Sequence, residues 1–190
     1  HVKRSFYMGP VIVYPSQMDR TDALTLAAER LFDQNGYTAT GMDRLTQAAG
    51  MSSRTLYKHA GSKAALMGRV LQARDRRFME SMDVASVDAL FSALEDWIGH
   101  EGARGCFFLR SQAETGGDTP EIAAAVNAHK AAFVARVHQV VAADLGHDDP
   151  ALAEQILVLI EGATHAAVYR GVTAVSAARS AAAILMKAQG

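Results

Sequence analysis

The chain of 190 residues has one cysteine, four prolines and one tryptophan. A lone thiol, Cys106, cannot close an internal disulfide, so a reducing, cytoplasmic setting is expected. No stretch reaches the roughly 18 unbroken apolar residues of a membrane span, and no membrane partner is expected. Zinc-ligand spacing is missing as well: His100, His138 and His147 fit none, and no HExxH, CxxC, Walker loop, dinucleotide fingerprint or GxSxG setting occurs. These absences predict a protein that is not an enzyme and holds no metal or other cofactor. A strong net charge is lacking too, at −1.

What is present is apolar material, 49% of residues, enough for a sizeable core, with a charged fraction of 21% that argues against disorder. The near-neutral sum hides a split. Residues 1–80 carry 12 Lys and Arg against 7 Asp and Glu, while residues 81–190 carry 7 against 13. Between Arg44 and Arg77, eight basic residues meet only Asp75. An anionic partner would find the N-terminal part first.

Apolar spacings of three and four predict helices throughout, about nine, and no strand pattern or repeat competes with this all-α reading. The first runs over 21–34, where Leu24, Ala28, Leu31 and Phe32 share a face, and stops at Asn35-Gly36. A short helix over 42–49 ends at Gly50, Ser52 or Ser53 caps the next to about His59, and Ser62 caps a fourth over about 63–79. That fourth helix carries Arg69, Arg74, Arg76 and Arg77 near its end, a set suited to a helix C-terminus or to solvent. Helices over about 87–99 and 106–114 follow, then a long one from Pro120 whose stripe includes Ile122, Val126, His129 and Phe133. Residues 151–170 are apolar nearly all round, which suits a helix with one side in its own core and the other against a partner; an alanine-rich helix over about 176–187 closes the chain.

The stretch NGYTATGMDRLTQAAGMSSRTLYKHAGSKAAL resembles the N-terminal signature of the tetracycline-repressor (TetR) family of bacterial transcription regulators, with Gly36-Tyr37, Thr40, Leu45, Ala49-Gly50, Thr55-Leu56-Tyr57, His59, Ser62-Lys63 and Leu66 in register. The resemblance implies a helix-turn-helix DNA-binding domain followed by a helical effector-binding and dimerisation domain. The expected division is an arm or appended extension over 1–17, a head over 18–64 and an effector-binding region over 65–190, with the fourth helix as connector. Implied partners are a palindromic double-stranded DNA operator, a small-molecule effector and a second copy of the chain in a homodimer, with repression relieved by the effector.

In such a head the second helix of the motif enters the major groove, early residues reaching base edges and flanking groups holding phosphates. Arg54 is the expected base reader, because a guanidinium bonds guanine O6 and N7 together, with Ser53 and Thr55 beside it. Tyr57, Lys58, His59, Lys63 and Thr40 are assigned to phosphates, as the family pattern implies for all but Lys58. Two positions depart from the pattern: Thr46 stands where alanine is usual, and Ala60 where a large aromatic is usual. Met51 or Met67 is expected to fill the space at Ala60.

For the effector pocket, Phe91, Trp97, Phe107, Phe108, Phe133 and Tyr169 are the expected aromatic walls, and Gln112, His129 and Thr164 the convergent polar groups. Most of these residues suit an ordinary core equally well. Cys106 reads as packing before redox sensing, and Glu161 with His165, four apart, as an intrahelical pair or a dimer contact. The rival classes are an effector-binding helical protein that no longer reads DNA and a helical-bundle enzyme. The retained basic residues speak against a degenerate head.

Overall fold

The computed structural model describes residues 20–189, so the arm expected at 1–17 lies outside the described residues. Nine helices form among them: α1 Arg20–Asn35, α2 Met42–Ala49, α3 Ser53–Ala60, α4 Lys63–Ser81, α5 Val87–Glu101, α6 Phe107–Glu114, α7 Pro120–Leu145, α8 Pro150–Arg170 and α9 Thr173–Lys187. Local chemistry sets most of the ends. Ser52, Ser62, Ser86 and Asp149 accept the backbone N–H of the residue three further on, at 3.2, 2.9, 3.2 and 3.0 Å, which satisfies a donor the helix itself leaves open. Pro120 and Pro150 occupy first-turn positions, where no N–H is needed.

The last helix begins three residues before the expected Ser176. The Ser176 hydroxyl donates back to the Val172 carbonyl at 3.3 Å, so this serine sits inside the helix instead of capping it.

Two apolar clusters result. One joins Leu24 and Phe32 of α1, Leu45, Leu56, Ala60 and the first half of α4 with Phe107 and Phe108 of α6 and Ile122 and Val126 of α7. The other joins Phe78 at the end of α4 with α5, the rest of α7, α8 and α9. Helix α4 contributes to both. Ala60 and Met67 are fully buried in the first cluster, and Met51 packs against it. Thr46, the other departure, satisfies its hydroxyl on the Met42 carbonyl at 2.9 Å.

Three arginines of the α4 ladder depart from the expectation of a solvated or helix-terminal set, while Arg76 is exposed as expected. Arg74 is buried, with Nη1 donating to Glu29 at 3.0 Å and to Glu101 at 2.6 Å. Arg77 pairs with the same two acids. Arg69 donates to the carbonyls of His59, at 2.7 Å, and Ala60, at 3.1 Å, closing the end of α3. A second acid of α1, Asp33, receives Arg104 and Arg110. Carboxylates so deeply buried are tolerable only with such partners.

Helix α8 is long and apolar enough to suit a membrane span by length and composition, with 33% of that window buried. Its buried side, including Leu152, Ile156, Ile160 and Ala163, belongs to the second cluster. The opposite side exposes Val158 at 67% and Tyr169 at 75%.

Removing one partner of a buried ion pair strands the other. Glu29→Ala is expected to lower the unfolding free energy by about 3 to 5 kcal/mol. Glu154→Ala, at an exposed ion pair with His138, should cost no more than about 1 kcal/mol in the same urea titration.

Candidate nucleic-acid interface and effector cavity

Between α2 and α3 the chain reverses at Gly50, which adopts φ 61° and ψ 33° and closes α2 through N–H bonds to Gln47 and Thr46 from Gly50 and Met51. A side chain there would cost about 1 to 2 kcal/mol of backbone strain. Leu45 and Leu56, both fully buried, hold the two helices in one core. With that face inward, α3 must present Ser53, Arg54, Tyr57 and Lys58 outward, and all four are exposed.

Thr55 is half-buried, and its hydroxyl lies 2.9 Å from that of Ser52. His59 ties the end of α3 to the start of α1, Nδ1 lying 3.1 Å from the Thr21 hydroxyl. Lys63 donates to the Thr38 carbonyl at 3.3 Å and lies 4.4 Å from the Tyr37 ring centre; desolvation lowers its pKa, against an opposing pull from Glu114.

Thr40 corrects the expected phosphate set. Its side chain is fully buried, and its hydroxyl donates to the Gly36 carbonyl at 2.7 Å, so it braces the α1–α2 turn and has no surface to offer a phosphate. Among the described residues, no carboxylate pairs with Arg54 or Lys58, nor with the exposed Arg44 of α2, which was not among the expected contacts. Of the α4 ladder, Arg69, Arg74 and Arg77 are engaged by carbonyls or carboxylates, whereas Arg76 is exposed and, among the described residues, pairs with no carboxylate.

A cavity opens where the two apolar clusters meet, with walls from α4, α5, α6, α7 and α8. The space in it open to the centre of a water-sized sphere is about 50 Å³, and it is partly open to solvent. Of the nine residues expected, Trp97, Phe107, Phe108, His129, Phe133 and Thr164 line it. Three do not. Phe91 is fully buried in the second cluster, Gln112 stands beside the turn at Gly117, and Tyr169 continues the exposed side of α8.

The walls are ordered by ring contacts. Phe78 meets Trp97 and Phe133 edge-on, each at 5.1 Å between centroids, and Phe108 stacks on His129 at 3.6 Å with 5° between planes. His129 is buried, and its Nδ1 lies 2.7 Å from Oδ1 of Asp75. Arg74, Phe78, Lys130 and Glu161 also line the cavity and were not foreseen. In the sequence, Glu161 reads only with His165, as an intrahelical pair or a dimer contact, and Arg74 as part of a helix-terminal or solvated ladder; only its place one turn before Phe78 hinted otherwise. Glu161 accepts from Lys130 across the helix pair at 2.6 Å, and this replaces the expected pairing with His165, which is exposed.

A family model described as bacterial regulatory proteins, tetR family, matches residues 24–70. The HTH-type transcriptional activator FasR of Mycolicibacterium smegmatis is 43% identical over 54 residues, 28% of this chain and 25% of FasR, so the match spans a quarter of that relative. A TetR-family transcriptional regulator from Streptomyces coelicolor superposes with a TM-score of 0.79 at 25% identity, covering 90% of this chain and 96% of its own. The matched segment, and the fold around it, are those of TetR-family regulators. A TetR transcriptional regulator from Legionella pneumophila, at 16% identity, shares the fold with a TM-score of 0.74, over 90% of this chain and 98% of its own.

The segment matched to the TetR family holds α1 to α3 and the start of α4, and with them every expected DNA contact. All residues of the cavity lie beyond it, the first being Arg74. The family match thus speaks to residues 24–70, and the cavity has to be read from its own chemistry.

Burial lowers the His129 pKa below its ordinary 6.5, outweighing the Asp75 hydrogen bond that raises it. An unfolded imidazole binds its proton near the ordinary value while the folded one stays neutral to lower pH, so this contribution to stability is full above that value and is lost as pH falls through the folded pKa. Unfolding free energy should therefore drop as pH falls through the ordinary 6.5 and below, and His129→Phe should flatten the profile there. Denaturant titrations of both proteins across the range check it.

Proposed function

We propose that this TetR-family chain is a DNA-binding transcriptional regulator that answers to a small molecule and works in the cytoplasm as a homodimer. The observation that carries the reading is the disposition of its cations. Arg54 and Lys58 stand outward and unpaired on the helix that a helix-turn-helix sends into the major groove, whereas Arg74 and Arg77 of α4 are paired with Glu29 and Glu101. Selection for a fold alone gives no reason to leave those two free.

Residues 18–64 serve as the head and 65–190 as the effector-binding and dimerisation region, with α4 as connector. Arg54 reads a base, Ser53 and Thr55 assist, and Tyr57, Lys58, His59 and Lys63 hold phosphates. The exposed stripe Gln155, Val158, Gly162, His165 and Tyr169, spaced by three and four along α8, supports a partner copy packed there with α9, whose Ile184 is 70% exposed. Two heads about a two-fold axis then require a palindromic operator.

The cavity is the effector site, and α4 passes from its wall to the head core. An effector that prefers one arrangement of α4 while DNA prefers another weakens operator binding about 5- to 150-fold, for a coupling of about 1 to 3 kcal/mol. The proposed sense is repression relieved by the effector, although the relative FasR is described as an activator.

Selection from a random DNA pool is expected to return a palindrome, with affinity falling steeply as salt rises. Arg54→Ala should relax preference at one base pair per half-site, by about 1 to 3 kcal/mol; unchanged preference at every position removes it from the reading role. Val158→Glu is expected to shift the chain from dimer toward monomer in sedimentation velocity, and a dimer unaffected by it would move the interface elsewhere.

A further inference from the structure

We infer that the cavity is built for an uncharged planar aromatic molecule with a hydroxyl donor, a phenol or naphthol, whose ring lies among Trp97, Phe107, Phe108 and Phe133 and whose O–H donates to Nε2 of His129. This rests on the cavity being the effector site only for its consequence on DNA.

The first support is the state of His129. Its Nδ1 faces a carboxylate, which only accepts, so the ring proton is on Nδ1. Burial keeps the imidazole neutral. Nε2 is then a lone-pair acceptor on a side chain only 4% exposed, and among the described residues nothing donates to it. The side chain that carries this free acceptor lines the cavity, so a ligand there can donate to it.

The second support is how the other polar groups are engaged. Arg74 is held by Glu29 and Glu101 at 3.0 and 2.6 Å, and Lys130 by Glu161 at 2.6 Å. A carboxylate ligand would have to displace one of these acids, and an ammonium ligand would face both cations. Thr164 commits its proton to the Ile160 carbonyl at 2.9 Å, which leaves its oxygen as a second acceptor. The charges of the cavity wall are already balanced by acids of the chain, and His129 Nε2 and the Thr164 oxygen are free acceptors, so an uncharged ligand that brings a donor suits it. The aromatic walls, with Arg74 5.1 Å from the Trp97 ring centre, supply flat contact area for a ring.

Equilibrium dialysis of the full chain against 2-naphthol, 2-methoxynaphthalene and 2-naphthoate tests the donor and the charge separately. 2-Naphthol is expected to bind about tenfold or more tighter than either of the others. In His129→Phe, which keeps a ring to stack on Phe108, that advantage should fall to about threefold or less while 2-methoxynaphthalene binds as before. Should the variant not fold, nitrogen-15 spectra of the wild-type imidazoles replace it: His129 Nε2 is expected unprotonated and shifted by 2-naphthol alone. Naphthoate binding as tightly as naphthol, an advantage that survives His129→Phe, an Nε2 that carries the proton, or no binding of any probe overturns the inference. Loss of selective DNA retention with this binding pattern intact would sink the regulator reading alone. A reversed pattern with DNA retention intact would sink only the ligand class.

Discussion

Two acids one turn apart on the inner side of α1, Glu29 and Asp33, are 4% and 5% exposed, and the arrangement of the molecule depends on how their charge is met. Left alone, each would cost several kcal/mol. Glu29 is met by Arg74 and Arg77 from α4, with Glu101 from the end of α5 sharing the same guanidinia, and Asp33 by Arg104 and Arg110 from the segment that leads into and forms α6. Ionic geometry of this kind is directional in a way apolar contact is not. It specifies where α1 sits relative to α4, α5 and α6, and hence where the outward face of α3 points.

The same cluster decides two matters of chemistry. It buries Arg74 and pairs Arg77, so the unpaired exposed cations of the basic segment contract to Arg44, Arg54, Lys58 and Arg76. It also places Arg74 in the wall of the cavity while bonded to Glu29 of the head. On the proposed reading, a ligand that shifts Arg74 cannot do so without disturbing the partner of Glu29. The contacts of Glu114 with the Thr38 backbone, at 2.8 Å, form a second link between α6 and the α1–α2 turn.

Much of the molecule was legible in the residues. Serine caps, first-turn prolines and terminal glycines are local devices, acting within three or four residues, and they place most helix ends correctly. The polar face of α3 was legible because Leu45 and Leu56 leave only one side outward. Thr40 was misassigned because a threonine before a helix can serve a phosphate or its own turn, and only the turn geometry chooses. Tyr169 and Phe91 were misassigned for a related reason: hydrophobicity says that a ring avoids water, not which of several apolar surfaces it joins. Arg74, Lys130 and Glu161 were missed because a charge in a helix reads as surface until an opposite charge, 27 to 45 residues away for Arg74, is brought to it.

The sequence by itself determined the helices, their order and the composition of the outward face of α3, because those follow from periodicity and from contacts between near neighbours. Tertiary structure alone decided which charges are spent inside, which rings enclose the cavity and which nitrogen of His129 is left without a donor. Those outcomes turn on desolvation and on the meeting of distant groups, and neither is defined until the chain has closed on itself.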